Sequence, residues 1–147
     1  MGKNKMKAIR IITHLPGRNY SAHVLFILSK GLNAGKPLVQ PCPNCFAVTF
    51  SSDRDAVNFK SFCLVLLQMK IFGQHLRGSV IPFLTISDFR KIIQEYEQLF
   101  SHHPDDFLSL IKKLHQIETE EQKSKSMLSL LADLRKSLIY EYIKERR

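Results

Sequence analysis

"PCPNCFAVTFSSDRD", residues 41–55, decides the fold class because it joins a strand directly to a helix. The segment "CFAVTF" (45–50) is rich in aromatic and β-branched residues, a composition typical of strands. The Ser and Asp residues that follow it are the types preferred at the cap and first turn of a helix. Beyond them, apolar residues recur at steps of three and four, which predicts one buried helical face: Phe59, Phe62, Cys63, Leu66 and Leu67.

The segments around this strand–helix pair predict the rest of an α+β fold. "KAIRIIT" reads as a strand, and "RGSVIPFLT" reads as an irregular strand because Pro82 has no N–H to donate. Ser21 can cap a helix that carries the apolar residues from Val24 to Leu28. We expect a small sheet packed on helices, followed by a C-terminal α-helical hairpin or extension: strands near 7–13, 45–50 and 78–85, helices near 21–32 and 54–75, and a helical tail from 87.

The C-terminal region shows a short coiled-coil-like pattern. "ETEEQKSKS" (118–126) contains no apolar residue, and Thr119 with Gln122 matches a capping box, so a new helix can begin there. After it, apolar residues follow at 4-3-4 spacing, the pattern of a coiled-coil seam. This seam is the candidate oligomer interface: Met127, Leu131, Leu134 and Leu138. Three partners are open, namely the 107–114 stripe in a hairpin, the sheet, or a second copy in a homodimer.

The net positive charge of the chain comes entirely from its first part. The net charge is +9, and residues 1–87 hold 11 Lys/Arg against two acids, whereas residues 88–147 hold 11 of each sign. This asymmetry predicts a basic α+β domain at 1–86, a charge-neutral helical region at 87–147, and a polyanionic partner such as a nucleic acid. The candidate nucleic-acid-binding residues lie in or beside loops, where they would position phosphates: Lys36, Lys70, Arg77 and Ser79.

Cys42 and Cys45 form a C-x-x-C motif that can serve three roles. A structural zinc site needs four ligands, and an intact helix would hold Cys63 and His75 about 18 Å apart, so the pair is a weak metal candidate. His14 and His23 can reach it only through the fold. A thioredoxin-like redox pair opens a helix, whereas this pair precedes a strand. We therefore expect a rigid turn, no metal, no cofactor, and a protein that is not an enzyme.

The expected cellular location follows from the absence of a signal-peptide pattern and of a membrane-spanning stretch in the sequence. No apolar signal region follows the basic N-terminal residues, and no uncharged apolar stretch is long enough to span a bilayer. Three cysteines, an odd number, fit a reducing compartment. The sequence thus predicts a cytoplasmic protein with no membrane partner.

Two resemblances add to this interpretation. "FCLVLLQMKIFGQHLRGSVIPFLTISDFRKI" (62–92) is similar to the closing part of target recognition domains in type I restriction specificity subunits. That resemblance implies a DNA-gripping domain with helices that bind partner subunits, in a role like those of restriction-modification systems. "THLPGRNYSAH" and "LSKGLNAGKPLVQPCPNCF" resemble a family of short uncharacterised bacterial proteins, which implies no activity. The residues on the first pattern are Arg77, Gly78, Ser79, Ile86, Asp88, Lys91 and Ile92.

Two functional hypotheses follow. The first is a non-catalytic DNA-binding or adaptor protein that contacts phosphates through its basic N-terminal part. The alternative is a protein–protein interaction module with no nucleic-acid role, which uses the C-terminal helices.

Overall fold

The computed structural model describes residues 8–147, and these residues form the predicted α+β fold. Lys7, the first residue of the predicted strand at 7–13, lies outside the described residues. Four strands form one antiparallel sheet in the order β1-β4-β2-β3. They are β1 (Ala8–Thr13), β2 (Val24–Leu28), β3 (Pro37–Leu38) and β4 (Cys45–Phe50).

The central strand β4 is covered on both faces. Ala47 and Val48 point to opposite faces, as successive strand residues do, and both are fully buried. On one face Phe46 and Phe50 pack against aromatic rings of the helices, with centroids 5.4 Å from Phe89 and 5.2 Å from Phe59. The other face holds a smaller cluster to which the β1–β2 connection contributes Tyr20. The continuous apolar pattern of β4 therefore reflects burial on both sides.

The prediction of a helix at 21–32 is wrong, because the apolar residues of this segment form strand β2. Val24 through Leu28 pair in register with Thr49 through Cys45 of β4. Five consecutive apolar residues fit a doubly covered strand and a buried helix equally well, so periodicity cannot separate the two. The strand predicted at 78–85 is also wrong. Only isolated bridges form there, Lys30 with Phe83 and Arg77 with Phe83.

Helix α1 (Asp53–Gln68) begins as predicted and ends earlier than predicted. Ser52 caps it by accepting a hydrogen bond from the Asp55 amide at 3.2 Å. The helix stops because Lys70 adopts a left-handed backbone conformation, with φ at 58°. The amides of Lys70 and Ile71 then donate to the carbonyls of Leu67 and Leu66, which is a Schellman motif. A separate 3₁₀ helix, Phe72–His75, covers the end of the predicted 54–75 range.

Helix α2 (Ile86–Ser101) completes an aromatic core. Thr85 caps it by accepting from the Asp88 amide at 3.1 Å. Its Phe100 ring lies 5.8 Å from Phe62 and 4.6 Å from Phe107, centroid to centroid. The four largest fully buried side chains are phenylalanines, followed by aliphatic residues: Phe59, Phe62, Phe72 and Phe89, then Ile27, Leu66 and Ile92.

Helix α3 (Pro104–Glu145) is continuous, so the C-terminal region is an extension and not a hairpin. The capping box predicted at Thr119 is wrong, since its hydroxyl donates to the His115 carbonyl within the same helix. The chain divides into two compact units, one ending at Phe107 and one spanning Leu108–Arg147. The domain boundary expected at 86/87 follows the change in net charge and the start of a helical stripe after residue 87. Counted by the compact units, residues 1–107 hold 13 Lys/Arg against seven acids and residues 108–147 hold nine against six.

Candidate interaction surfaces

The candidate oligomer residues lie on one exposed face of α3. We call Met127, Leu131, Leu134 and Leu138 the α3 strip. Between 50% and 58% of each side chain is exposed, and every residue from 119 to 147 is exposed. Seven-residue steps from Leu131 towards the N-terminus reach Ser124, Ile117 and Leu110, so these residues lie on the same side of the helix. Further exposed apolar residues widen the strip: Leu128, Leu130, Ile139, Tyr142 and Ile143.

Two short stretches of opposite net charge flank the α3 strip along the helix. Glu118, Glu120 and Glu121 precede the α3 strip, and the chain ends in Lys144, Glu145, Arg146 and Arg147. Local contacts hold some of them, since Lys123 pairs with Glu120 at 2.9 Å and the Arg146 guanidinium stacks 3.6 Å above the Tyr142 ring. Such exposed pairs contribute little stability. The α3 strip therefore lies between an acidic stretch at 118–121 and a basic stretch at 144–147, with Lys123 and Lys125 between the acidic stretch and the strip.

A second surface forms where two loops of the first unit are hydrogen-bonded together. We call residues 29–36 and 77–84 the two-loop surface. The Gly31 amide donates to the Pro82 carbonyl at 2.7 Å, and the Leu84 amide donates to the Ser29 carbonyl at 2.8 Å. These bonds join the loops that carry Lys36, Arg77 and Ser79, and all three side chains are exposed. The fourth candidate, Lys70, belongs to neither loop and lies just past the end of α1.

Gly35 fixes the first of these loops to the core. Its φ is +98°, and a Cβ atom built there would lie 2.2 Å from the Phe72 ring. The Phe72 ring is fully buried and stacks on Phe89, with centroids 5.8 Å apart. Only glycine fits both the backbone angle and the gap. The loop that carries Lys36 is therefore held rigidly against the 3₁₀ helix.

The charge of Arg77 is already paired. Its Nε donates to Asp88 Oδ2 at 2.9 Å and its Nη2 donates to Asp88 Oδ1 at 3.3 Å, a bidentate arrangement. Hydrogen bonds from Arg77, and then from Thr85, lower the pKa of the Asp88 carboxyl below its ordinary value. Arg77 would have to leave this carboxylate, or share it, to contact a phosphate.

Sequence reasoning missed the apolar part of the two-loop surface. Val80 is 89% exposed and Leu32 is 81% exposed, with Ile81 and Phe83 also exposed beside them. It also missed Lys30, which bridges to Phe83. The apolar run "SVIPF" after Gly78 was the available signal, but its pattern indicated an irregular strand and not an exposed loop. The surface combines three cations with four exposed apolar side chains, and neither loop contains an acid.

The C-x-x-C motif forms a turn that leads into β4. The Cys45 thiol donates to the Cys42 carbonyl at 3.0 Å and accepts from the Cys42 amide at 3.5 Å. Burial raises the pKa of Cys45 to about 11, and burial also raises the pKa of Cys63 well above its ordinary value. Both groups are therefore thiols at neutral pH, whereas metal binding and thiol exchange use the thiolate.

The two histidines considered as metal ligands have other partners. His14 Nδ1 lies 2.7 Å from the Tyr20 hydroxyl, and His23 Nδ1 lies 2.6 Å from Asp53 Oδ1. Within residues 8–147, no three His, Cys, Asp or Glu residues come together in a group that could hold a metal ion. None of the helices described in that part of the chain is long and apolar enough to cross a membrane.

Comparison with known proteins identifies a family of unknown function. Residues 11–141 match the family described as "Family of unknown function (DUF6943)". No curated protein matches the chain, and no solved structure matches it. The comparisons thus give no support to the local resemblance to target recognition domains.

Proposed function

The chain belongs to DUF6943, a family of unknown function, and we propose from its geometry that it is a protein-interaction module that binds through the α3 strip. One observation carries the proposal. Residues 119–145 are exposed on every side of a continuous helix, yet this segment carries the α3 strip and its apolar flanks. A helix that stays alone in water is normally polar all round.

The energetics favour covering the α3 strip. Full burial of a Leu or Met side chain contributes ~1.5–3 kcal/mol, so covering the exposed half of each contributes roughly 1 kcal/mol. Four such residues contribute about 4 kcal/mol from one copy, and the flanking apolar side chains add to this. A helix of this kind gains little from propensity alone, because the helical stability of proteins comes mainly from packing an apolar face. A partner surface that covers the α3 strip would thus also stabilise the helix.

Capture experiments with the full-length protein test the proposal. Tagged wild type would be compared with a Leu131→Glu/Leu134→Glu variant and with Ser129→Glu, which adds a similar charge on the opposite side of the same helix. We expect a protein partner, including a differently tagged copy of the chain itself, to be retained by wild type and Ser129→Glu after nuclease treatment. The double variant should lose it. Equal retention by all three proteins would show that the α3 strip is not the contact surface.

A second candidate function is phosphate contact by the first unit, as in a non-catalytic DNA-binding adaptor. The observation that favours it is the two-loop surface, where Lys30, Lys36 and Ser79 stand exposed without a neighbouring acid on either loop. Arg77 contributes less, since Asp88 already neutralises it. Such contacts would position a nucleic acid without reading its sequence.

A salt titration of duplex and single-stranded DNA binding tests this second function. Affinity should fall steeply with salt, because each neutralised phosphate releases counterions. Lys36→Gln should weaken binding and reduce the salt dependence, whereas Lys60→Gln, on the exposed side of α1, should change it less. Undetectable binding at low salt would reject nucleic acid as the partner.

A further inference from the structure

We propose that the occupant of the α3 strip is a second copy of the same helix, packed antiparallel, with Met127 facing Leu138 and Leu131 facing Leu134 of the other copy. This inference rests on the proposed function and names its partner. The twofold axis would pass between Ala132 and Asp133.

The spacing of the α3 strip fits this arrangement. The steps along it are four, three and four residues, which read the same in both directions. An antiparallel copy therefore places an apolar side chain opposite each of the four members, with no polar residue in the central layers. The next layer outward pairs Ser124 with Glu141, so the apolar core ends where polar residues begin. The alternating three- and four-residue steps are those that let two helices interdigitate.

The charges choose the antiparallel direction over the parallel one. A parallel pair would stack Glu120, Glu141 and Glu145 each on its own copy at seam positions, and like charges so placed are destabilising, whereas the antiparallel pair leaves only Glu120 against Glu145 at each end of the seam. In the antiparallel pair the acidic stretch 118–121 lies alongside residues 144–147 of the other copy. That second stretch contains Lys144, Arg146 and Arg147 against one acid. Opposite charges within a Debye length of about 8 Å attract at physiological salt.

The extent of overlap sets the expected strength. Residues 120–145 of the two copies would run side by side for roughly 39 Å at 1.5 Å per residue. The apolar layers occupy only the middle of this length, so we expect an association that is visible at about tens of micromolar.

Spin-label distances in the full-length protein test the orientation. Thr119, Ser126 and Asp133 share one outward-facing heptad position, so a label there leaves the α3 strip intact. Each would be replaced by Cys separately in a Cys42→Ser background, because Cys42 is only half-buried whereas Cys45 and Cys63 are buried. In the antiparallel dimer the two labels should be offset along the axis by ~2 Å at 133, ~20 Å at 126 and ~40 Å at 119. Diluting labelled protein into unlabelled protein should remove the coupling.

The possible outcomes separate the orientation, the partner and the surface. A distance that grows from 133 to 119 supports the proposal, and Leu134→Glu should abolish the coupling while the circular dichroism of the helix persists. Equal distances at all three positions would show a parallel pair and overturn the proposal, while the α3 strip remains an interaction surface. Wild type that stays monomeric at tens of micromolar would overturn the second copy as partner. The capture experiment then decides the proposed function independently.

Discussion

Replacing Gly35 with Ala should destabilise the first unit more than the same change at any open glycine. The φ of +98° costs an L-residue about 1–2 kcal/mol. The new Cβ would also lie 2.2–2.7 Å from three atoms of the Phe72 ring. That ring is fully buried and stacked on Phe89, so it cannot move into solvent, and such overpacking costs about 1–3 kcal/mol. The expected loss of unfolding free energy is therefore ~2–5 kcal/mol.

Gly31→Ala is the matched control. Its φ is +90°, but a Cβ there meets nothing within 4 Å, so only the backbone cost of about 1–2 kcal/mol applies. Urea unfolding can be followed by pulse alkylation of Cys63, which is fully buried in the first unit and becomes accessible when that unit unfolds. Equal losses for the two substitutions would refute the contact between Gly35 and Phe72. So would a Gly35→Ala loss below about 1 kcal/mol.

Three further predictions concern the first unit. Lys70→Gly should stabilise it by about 1 kcal/mol in urea unfolding, because glycine accepts the left-handed φ of 58°; a loss of stability would mean that the Lys70 side chain itself is needed. Folding raises the pKa of Cys45 from 9.0 to about 11. The protonated thiol should therefore contribute its full share of stability below pH 9, and this contribution should be lost as the pH rises from 9 to 11. The stability advantage of wild type over Cys45→Ala should therefore shrink only across that range, and an advantage that fades below pH 8 would contradict this. Arg77→Gln should raise the pKa of Asp88 in an NMR titration, since Arg77 is the main cause of its lowering; an unchanged titration would show that the ion pair does not persist in solution.

The sequence predicted the elements whose local signals agree with each other. Helix α1 has a cap residue, early acids and an apolar face in register, and strand β4 has aromatic and β-branched residues typical of strands and is followed at once by helix-start residues. Its neighbour, strand β2, was mistaken for a helix because five consecutive apolar residues show neither the helical nor the strand periodicity. The end of α1 was missed because a lysine, and not a glycine, occupies the left-handed position. Thr119 was misread because a capping-box pattern inside a continuous helix looks the same as one at its start.

The interaction surfaces were predictable to different degrees. The α3 strip was visible as a 4-3-4 pattern, since every member lies on one helix. The two-loop surface was not visible as a unit, because it depends on hydrogen bonds such as Gly31 to Pro82 between segments far apart in sequence. The pairing of Arg77 with Asp88 was hidden for a related reason, since a cation in a loop gives no sign of its own partner.

Sedimentation equilibrium of the full-length protein from about 1 to 100 μM, a range set by the expected affinity, tests the central claim most directly. Wild type and Ser129→Glu should approach twice 17.0 kDa as concentration rises, because the α3 strip becomes covered by a second copy. Leu134→Glu should remain at 17.0 kDa while keeping its helical content. A wild-type protein that stays at the monomer mass throughout, or three proteins that associate equally, would contradict the assignment of the α3 strip as the surface that joins two copies.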